Sequence, residues 1–153
     1  MNLADTLTSS LEDYLEAIFQ IIAEKKAVKP KDIARRLNVS NASVTGALRA
    51  LADKKLINYA PYDVITFTPA GKSAARDVVR RHEVLRDFFI NILSVEYDEA
   101  DEAACKIEHS ISKNILERFV DFANRHERKK VSHRTVKFRK QRPLAIGRRR
   151  RCR

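Results

Sequence analysis

The sequence is short of the residues that mark secreted, membrane and irregular proteins, and each shortage narrows its reading. Two cysteines in 153 residues, Cys105 and Cys152, cannot make the disulfide framework of a small extracellular domain, so a reduced, cytoplasmic protein is expected. No apolar run approaches the roughly 18 residues that a membrane-spanning helix needs, and no membrane partner is expected. Met1 to Ser10 has neither a basic start nor an apolar core and does not read as a secretory signal. Glycine occurs only three times, which suits a mostly helical chain. There are no internal repeats. Acidic residues stop at Glu127.

That last absence organises the charge. The formal net charge is +11, yet residues 1–127 hold 18 bases against 20 acids, and all 13 remaining bases follow Glu127. Residues 1–24 hold five acids and no base, residues 25–86 hold 14 bases and five acids, and residues 87–127 hold four bases and ten acids. A basic middle between acidic flanks points to a polyanionic partner for the middle and a cationic one for the flanks.

Hydrophobic spacing gives the elements. Ser9-Ser10 before Glu12 and Asp13 is a helix start, and Leu11, Leu15, Ile18, Phe19 and Ile22 recur at helical spacing over 11–24. Residues 30–37 read as a short helix opened by Pro30, Asn38-Val39-Ser40 as a turn, and 41–54 as a second helix. Ile57–Tyr59 and Val64–Phe67 read as a small hairpin, and a long helix follows Thr68-Pro69. Helices over 98–111 and 113–126 complete the chain, and no packed structure is expected for 128–153.

Short helix, tight turn, longer helix and hairpin is the order of a winged helix-turn-helix. The second helix would enter the major groove with Ser40, Asn41, Ser43 and Thr45 facing base edges. Lys29, Lys31, Arg35, Arg36 and Arg49, with Lys54 and Lys55, would neutralise phosphates. Taken singly these are a helix cap and a solvated basic face; together and in this order they indicate DNA binding.

A second constellation is Cys105-Lys-Ile-Glu108-His109. On one helix, Cys105, Glu108 and His109 share a face, while Ala104, Ile107 and Ile111 point about 120° away. Asp13 and Glu16 stand one turn apart on the first helix, opposite its apolar stripe, and His82 lies in the long helix. Thiolate, imidazole and carboxylate together suit a divalent transition metal such as Mn, Fe, Zn or Co. Solvated acids and a packing cysteine are the bland alternative.

With these motifs together, the sequence resembles the DtxR/MntR family of metal-dependent transcriptional repressors, over residues 9 to about 126. Ser10-Leu-Glu-Asp-Tyr-Leu-Glu16, Arg81-His82-Glu-Val-Leu85 and Cys105-Lys-Ile-Glu-His109 carry the likeness. The resemblance implies a mainly α protein: a winged helix-turn-helix over 1–73, an all-helical dimerisation and metal-binding domain over 74–127, and a basic tail over 128–153. It implies a homodimer on double-stranded operator DNA that represses metal-uptake genes. It also places metal ligands at Asp13, Glu16, His82, Cys105, Glu108 and His109. Cys105 falls where the manganese regulators carry glutamate and the iron-type members carry cysteine. Asp13 favours Mn(II), the first expectation, while Cys105 adds affinity for Zn(II) or Fe(II). The length matches the short branch, without the SH3-like third domain of longer members. No organic cofactor and no enzymatic activity are expected. Three rivals stand beside this reading: a metal-independent winged-helix regulator of a small organic ligand, an enzyme with Cys105 as nucleophile and His109 as base, and a nucleic-acid-coating protein acting through its tail.

Overall fold

The computed structural model describes residues 7–25, 27–60 and 64–131. Six helices and one two-stranded sheet occur among them: α1 Ser9–Lys25, α2 Pro30–Leu37, α3 Asn41–Asp53, β1 Ile57–Asn58, β2 Thr66–Phe67, α4 Pro69–Asn91, α5 Tyr97–Ile107 and α6 Lys113–Val131. The fold is mainly helical, with the small hairpin in the expected place. No helix among the described residues is long and apolar enough to cross a membrane. The chain divides into two compact units at Arg80/Arg81, so α4 gives its first half to one and its second half to the other.

In the first unit, α2 begins with Pro30 in its first turn and ends at Asn38, whose left-handed backbone (φ 53°) turns the chain toward α3. Val39 then donates its N–H to the Ala34 carbonyl. Ser40 caps α3 by accepting from the Ser43 N–H at 3.1 Å. The strands pair antiparallel, Ile57 opposite Phe67 and Asn58 opposite Thr66. They are shorter than expected, and the hairpin tip at 61–63 lies outside the described residues. Thr68 joins the hairpin to α4: its hydroxyl donates to the Lys55 carbonyl at 2.7 Å and accepts from the Gly71 N–H at 3.1 Å. Gly71 is required there, because a Cβ would sit 1.7 Å from the Leu56 carbonyl oxygen. Leu15, Ile18, Ile33, Val44, Leu48, Leu51, Leu56 and Ile65 form a continuous apolar core.

The second unit comprises the rest of α4, α5 and α6. Its apolar cluster is small: Leu85, Ala104 and Leu116, flanked by Val84, Phe89, Ile111 and Phe119. Phe88 meets Phe119 edge-on at 4.7 Å between ring centres. The helix expected over 98–111 ends at Ile107, with Glu108 at its C-cap and His109 in the following turn. α6 continues through Val131, and residues 132–153 of the expected tail lie outside the described residues.

Candidate metal centre and nucleic-acid interface

Of the residues expected at the DNA surface, Lys29, Lys31, Arg35, Ser40, Asn41, Ser43 and Arg49 are exposed and Thr45 is half-buried. Two of the hydroxyls have local work. The Ser40 hydroxyl caps α3 and lies 2.9 Å from that of Ser43, while Thr45 Oγ1 donates to the Asn41 carbonyl at 3.0 Å. Gly46 meets nothing within 4 Å of a built Cβ, so the surface beside it is open. Arg36 departs from expectation. Its guanidinium is turned inward, donating to Gln20 Oε1 at 2.9 Å and pairing with Glu24. The reason is chemical: Gln20 and Glu24 offer acceptors along α1 that a solvated phosphate contact would have to replace.

The second unit carries a buried charged cluster. Glu108 is fully buried, and its Oε2 lies 2.6 Å from His82 Nδ1. His82, 1 % exposed, places its other nitrogen 2.8 Å from Asp101 Oδ1, which also lies 3.8 Å from Arg86. Arg86 stacks over Tyr97 at 5.6 Å. Burial works to lower the guanidinium pKa, but Asp87, Tyr97 and Asp101 outweigh it and hold Arg86 above its ordinary value. Glu108 Oε1 accepts no hydrogen bond, although His109 Nε2 is 3.3 Å away. Leaving a buried carboxylate oxygen unsatisfied is costly. One carboxylate between two imidazoles, with an orphaned oxygen, is a donor set that fits a divalent cation.

One sequence expectation changes here. Ile107, expected on the core face, is 40 % exposed, while Glu108 is sealed. Ala100, Ala104 and Glu108, four residues apart, are the buried row, and their small neighbours leave room for the carboxylate. Cys105 is half-buried on α5, about one turn before Glu108 and His109.

On α1, Asp13 and Glu16 are 7 % and 8 % exposed. The sequence places them opposite the apolar stripe; in the structure Glu12 through Ile18 are all buried, so the helix is covered nearly all round. Glu16 Oε1 accepts from Gln20 Nε2 at 3.0 Å.

Comparison with known proteins gives this geometry its context. Residues 6–65 match the N-terminal DNA binding domain of the iron dependent repressors, and residues 68–135 match their metal binding and dimerisation domain. An uncharacterized HTH-type transcriptional regulator of Methanocaldococcus jannaschii is 34% identical over 124 residues, 80% of this chain and 99% of the relative. The chain belongs to the DtxR/MntR family of metal-dependent transcriptional repressors. The transcriptional regulator MntR of Bacillus pumilus is 35% identical over 74% of this chain and 78% of its own length. The solved structure of the manganese regulator SloR superposes with a TM-score of 0.68 at 28% identity, covering 77% of this chain. This family member spans only about half of that structure, 55% of its length. The family consists of transcriptional regulators, not enzymes.

Sequence reasoning missed three members of these networks. Asp101 lies four residues before Cys105 and seven before Glu108, a helical spacing that puts it on the same face. Gln20 stands four residues after Glu16, where its amide reaches the carboxylate. Arg86 follows His82 by the same step and was hidden among the bases of the long helix.

Proposed function

We propose that this chain is a metal-gated repressor that binds palindromic operator DNA as a homodimer and silences metal-uptake genes when the ion is plentiful. The observation that carries the reading is Glu108: a fully buried carboxylate with an orphaned oxygen beside two imidazoles, in a chain whose other unit is a DNA-binding domain. By the family likeness, Asp13, Glu16, His82, Cys105, Glu108 and His109 would be the residues that hold the ion. The likeness to the family at these positions and the burial of both α1 acids support that set.

The carboxylate donors, Asp13 among them, favour Mn(II), while Cys105 adds affinity for Zn(II) or Fe(II). A divalent cation supplies positive charge that offsets the mutual repulsion of the buried carboxylates. Asp101 orients His82 by accepting from its second ring nitrogen, the carboxylate–histidine arrangement common around metal ligands. Arg86 in turn steadies Asp101. On the DNA side, Asn41, Ser43 and Thr45 address base edges, and Lys29, Lys31, Arg35 and Arg49 address phosphates. Ser40 acts through the cap that shapes the start of α3. The dimer forms through the second unit, where Ile115 and Phe122, seven residues apart on α6, are about half exposed. Action on operator DNA places the protein in the cytoplasm.

Metal-stripped full-length protein would be titrated onto DNA from upstream of its own gene and of neighbouring transport genes. The titration would run at near-physiological salt with competitor DNA, adding Mn(II), Fe(II) and Zn(II) separately. Specific binding that appears only with metal is expected, at the lowest free concentration for the ion sensed. Tight specific binding that ignores metal would overturn the reading in favour of a ligand-sensing winged-helix regulator.

A further inference from the structure

Glu16, Gln20 and Arg36 form an unbroken chain of hydrogen bonds inside the first unit. Gln20 Nε2 donates to Glu16 Oε1 at 3.0 Å, Arg36 Nη1 donates to Gln20 Oε1 at 2.9 Å, and Arg36 Nη2 pairs with Glu24. Gln20 is 8 % exposed. We propose that Gln20 is the positioning residue that carries the state of Glu16 to the helix-turn-helix. This rests on the reading of Glu16 as a metal ligand.

The chemistry fixes the direction of every link. An ionised carboxylate only accepts and a guanidinium only donates, so the amide between them has one orientation that satisfies both neighbours. Methionine in its place would keep the length and burial and lose both bonds. Leucine or alanine would fill the space less well. An amide is therefore what this position needs if the two ends are to sense each other, and buried bonds of this kind are costly to break singly.

The far end of the chain matters for DNA. Arg36 is the penultimate residue of α2, followed by Leu37 and the left-handed Asn38 that sets the angle into α3. Whatever restrains the Glu16 carboxylate restrains Gln20, then Arg36, then the entry into the recognition helix. Arg36 is thus a structural link in the gate and not a phosphate contact. The distinction is measurable, because a lost phosphate contact weakens DNA binding equally with and without metal.

The test uses the full chain and Mn(II) alone as the probe. Mn(II) affinity is measured by calorimetry, and operator affinity by fluorescence anisotropy with chelator and with saturating Mn(II). The ratio of the two operator dissociation constants is the coupling factor. For Gln20→Met, the Mn(II) affinity should change by less than about threefold while the coupling factor falls about tenfold. Arg36→Met should give a similar fall, and the double variant no further loss, because the two residues act in series. Arg36→Met reads the same chain from its other end, so a Gln20 variant that fails to fold leaves the proposal open to refutation. A coupling factor equal to that of the unsubstituted protein in either folded variant overturns it, as do additive losses in the double variant. If the unsubstituted protein itself shows no metal-dependent DNA binding, the metal reading fails and takes this proposal with it.

Discussion

The two units of this chain are stabilised in different ways. In the first, Leu15, Ile18, Leu48 and Leu51 have no exposed surface at all, within a core that extends through Ile33 and Ile65. Among the described residues of the second, the sealed apolar cluster is only Leu85, Ala104 and Leu116, and the fully buried side chains include the ionisable pair His82 and Glu108. Apolar burial stabilises whatever the conditions, whereas a buried carboxylate with an orphaned oxygen is costly until a cation or proton arrives. On the proposed reading the contrast implies a division of labour: a DNA-binding unit whose stability is indifferent to metal, and a second unit that a bound cation would stabilise further.

That comparison can be broken most sharply at Glu108. Glu108→Gln keeps the shape and removes the charge, and metal-dependent operator binding should fall by about 100-fold or more, as loss of a metal ligand implies. Urea unfolding of the first unit should be unchanged. Equal operator affinity in Glu108→Gln and the unsubstituted protein, measured by anisotropy in Mn(II), would remove the second unit from the gate.

Substitutions in the first unit should behave in the opposite way. Leu51→Ala should cost about 3 kcal/mol with or without metal, from lost burial and the cavity left behind. Gly71→Ala should cost about 2–3 kcal/mol, because its Cβ collides with the Leu56 backbone, which cannot rotate away. Denaturant titrations with chelator and with Mn(II) check both; losses that vanish in metal would contradict the division.

The exposed face of α6 gives a smaller effect. Phe122→Ser should raise the dimer dissociation constant about tenfold, seen by sedimentation, while the apolar cluster at Leu85 and Leu116 persists. Phe122 stacks on His126 and touches Phe88, so this face is ordered though half exposed.

The smallest expected effect is at Asp32. Burial works to raise its pKa, but the Lys25 ammonium 3.2 Å away, the Lys29 backbone and the Arg35 charge together outweigh it and hold the carboxyl below its usual value. A folded pKa below the unfolded one adds stability above the ordinary carboxylate range and loses it as pH falls through the folded value. Asp32→Asn should therefore cost no more than about 0.5 kcal/mol at pH 7, screened by solvent, and nothing at about pH 2.

Much of the fold was legible because local signals agree with packing. Pro30 and the Asn38-Val39-Ser40 turn bound α2 at the residues expected, and Thr68-Pro69 opens α4. The site was legible as a set of ligand types but not as an environment. A stripe of apolar residues on α1 says that one face is buried; it cannot say that Asp13 and Glu16, on the other, are covered too. On α5 the apolar Ile107 outbid Glu108 for the core on hydropathy, yet the long-range partner His82, 26 residues earlier, decides which is sealed. Arg36 was read from its basic context, and only the fold shows Gln20 and Glu24 within its reach.

Amide hydrogen exchange with and without Mn(II) tests the division between the units most directly. Protection should rise on metal addition through residues 81–111 and along Asp13–Glu16, while the amides of Leu48 and Leu51 exchange at the same slow rate in both states. Equal protection of the second unit in chelator and in Mn(II), or a uniform rise across both units, would contradict the account.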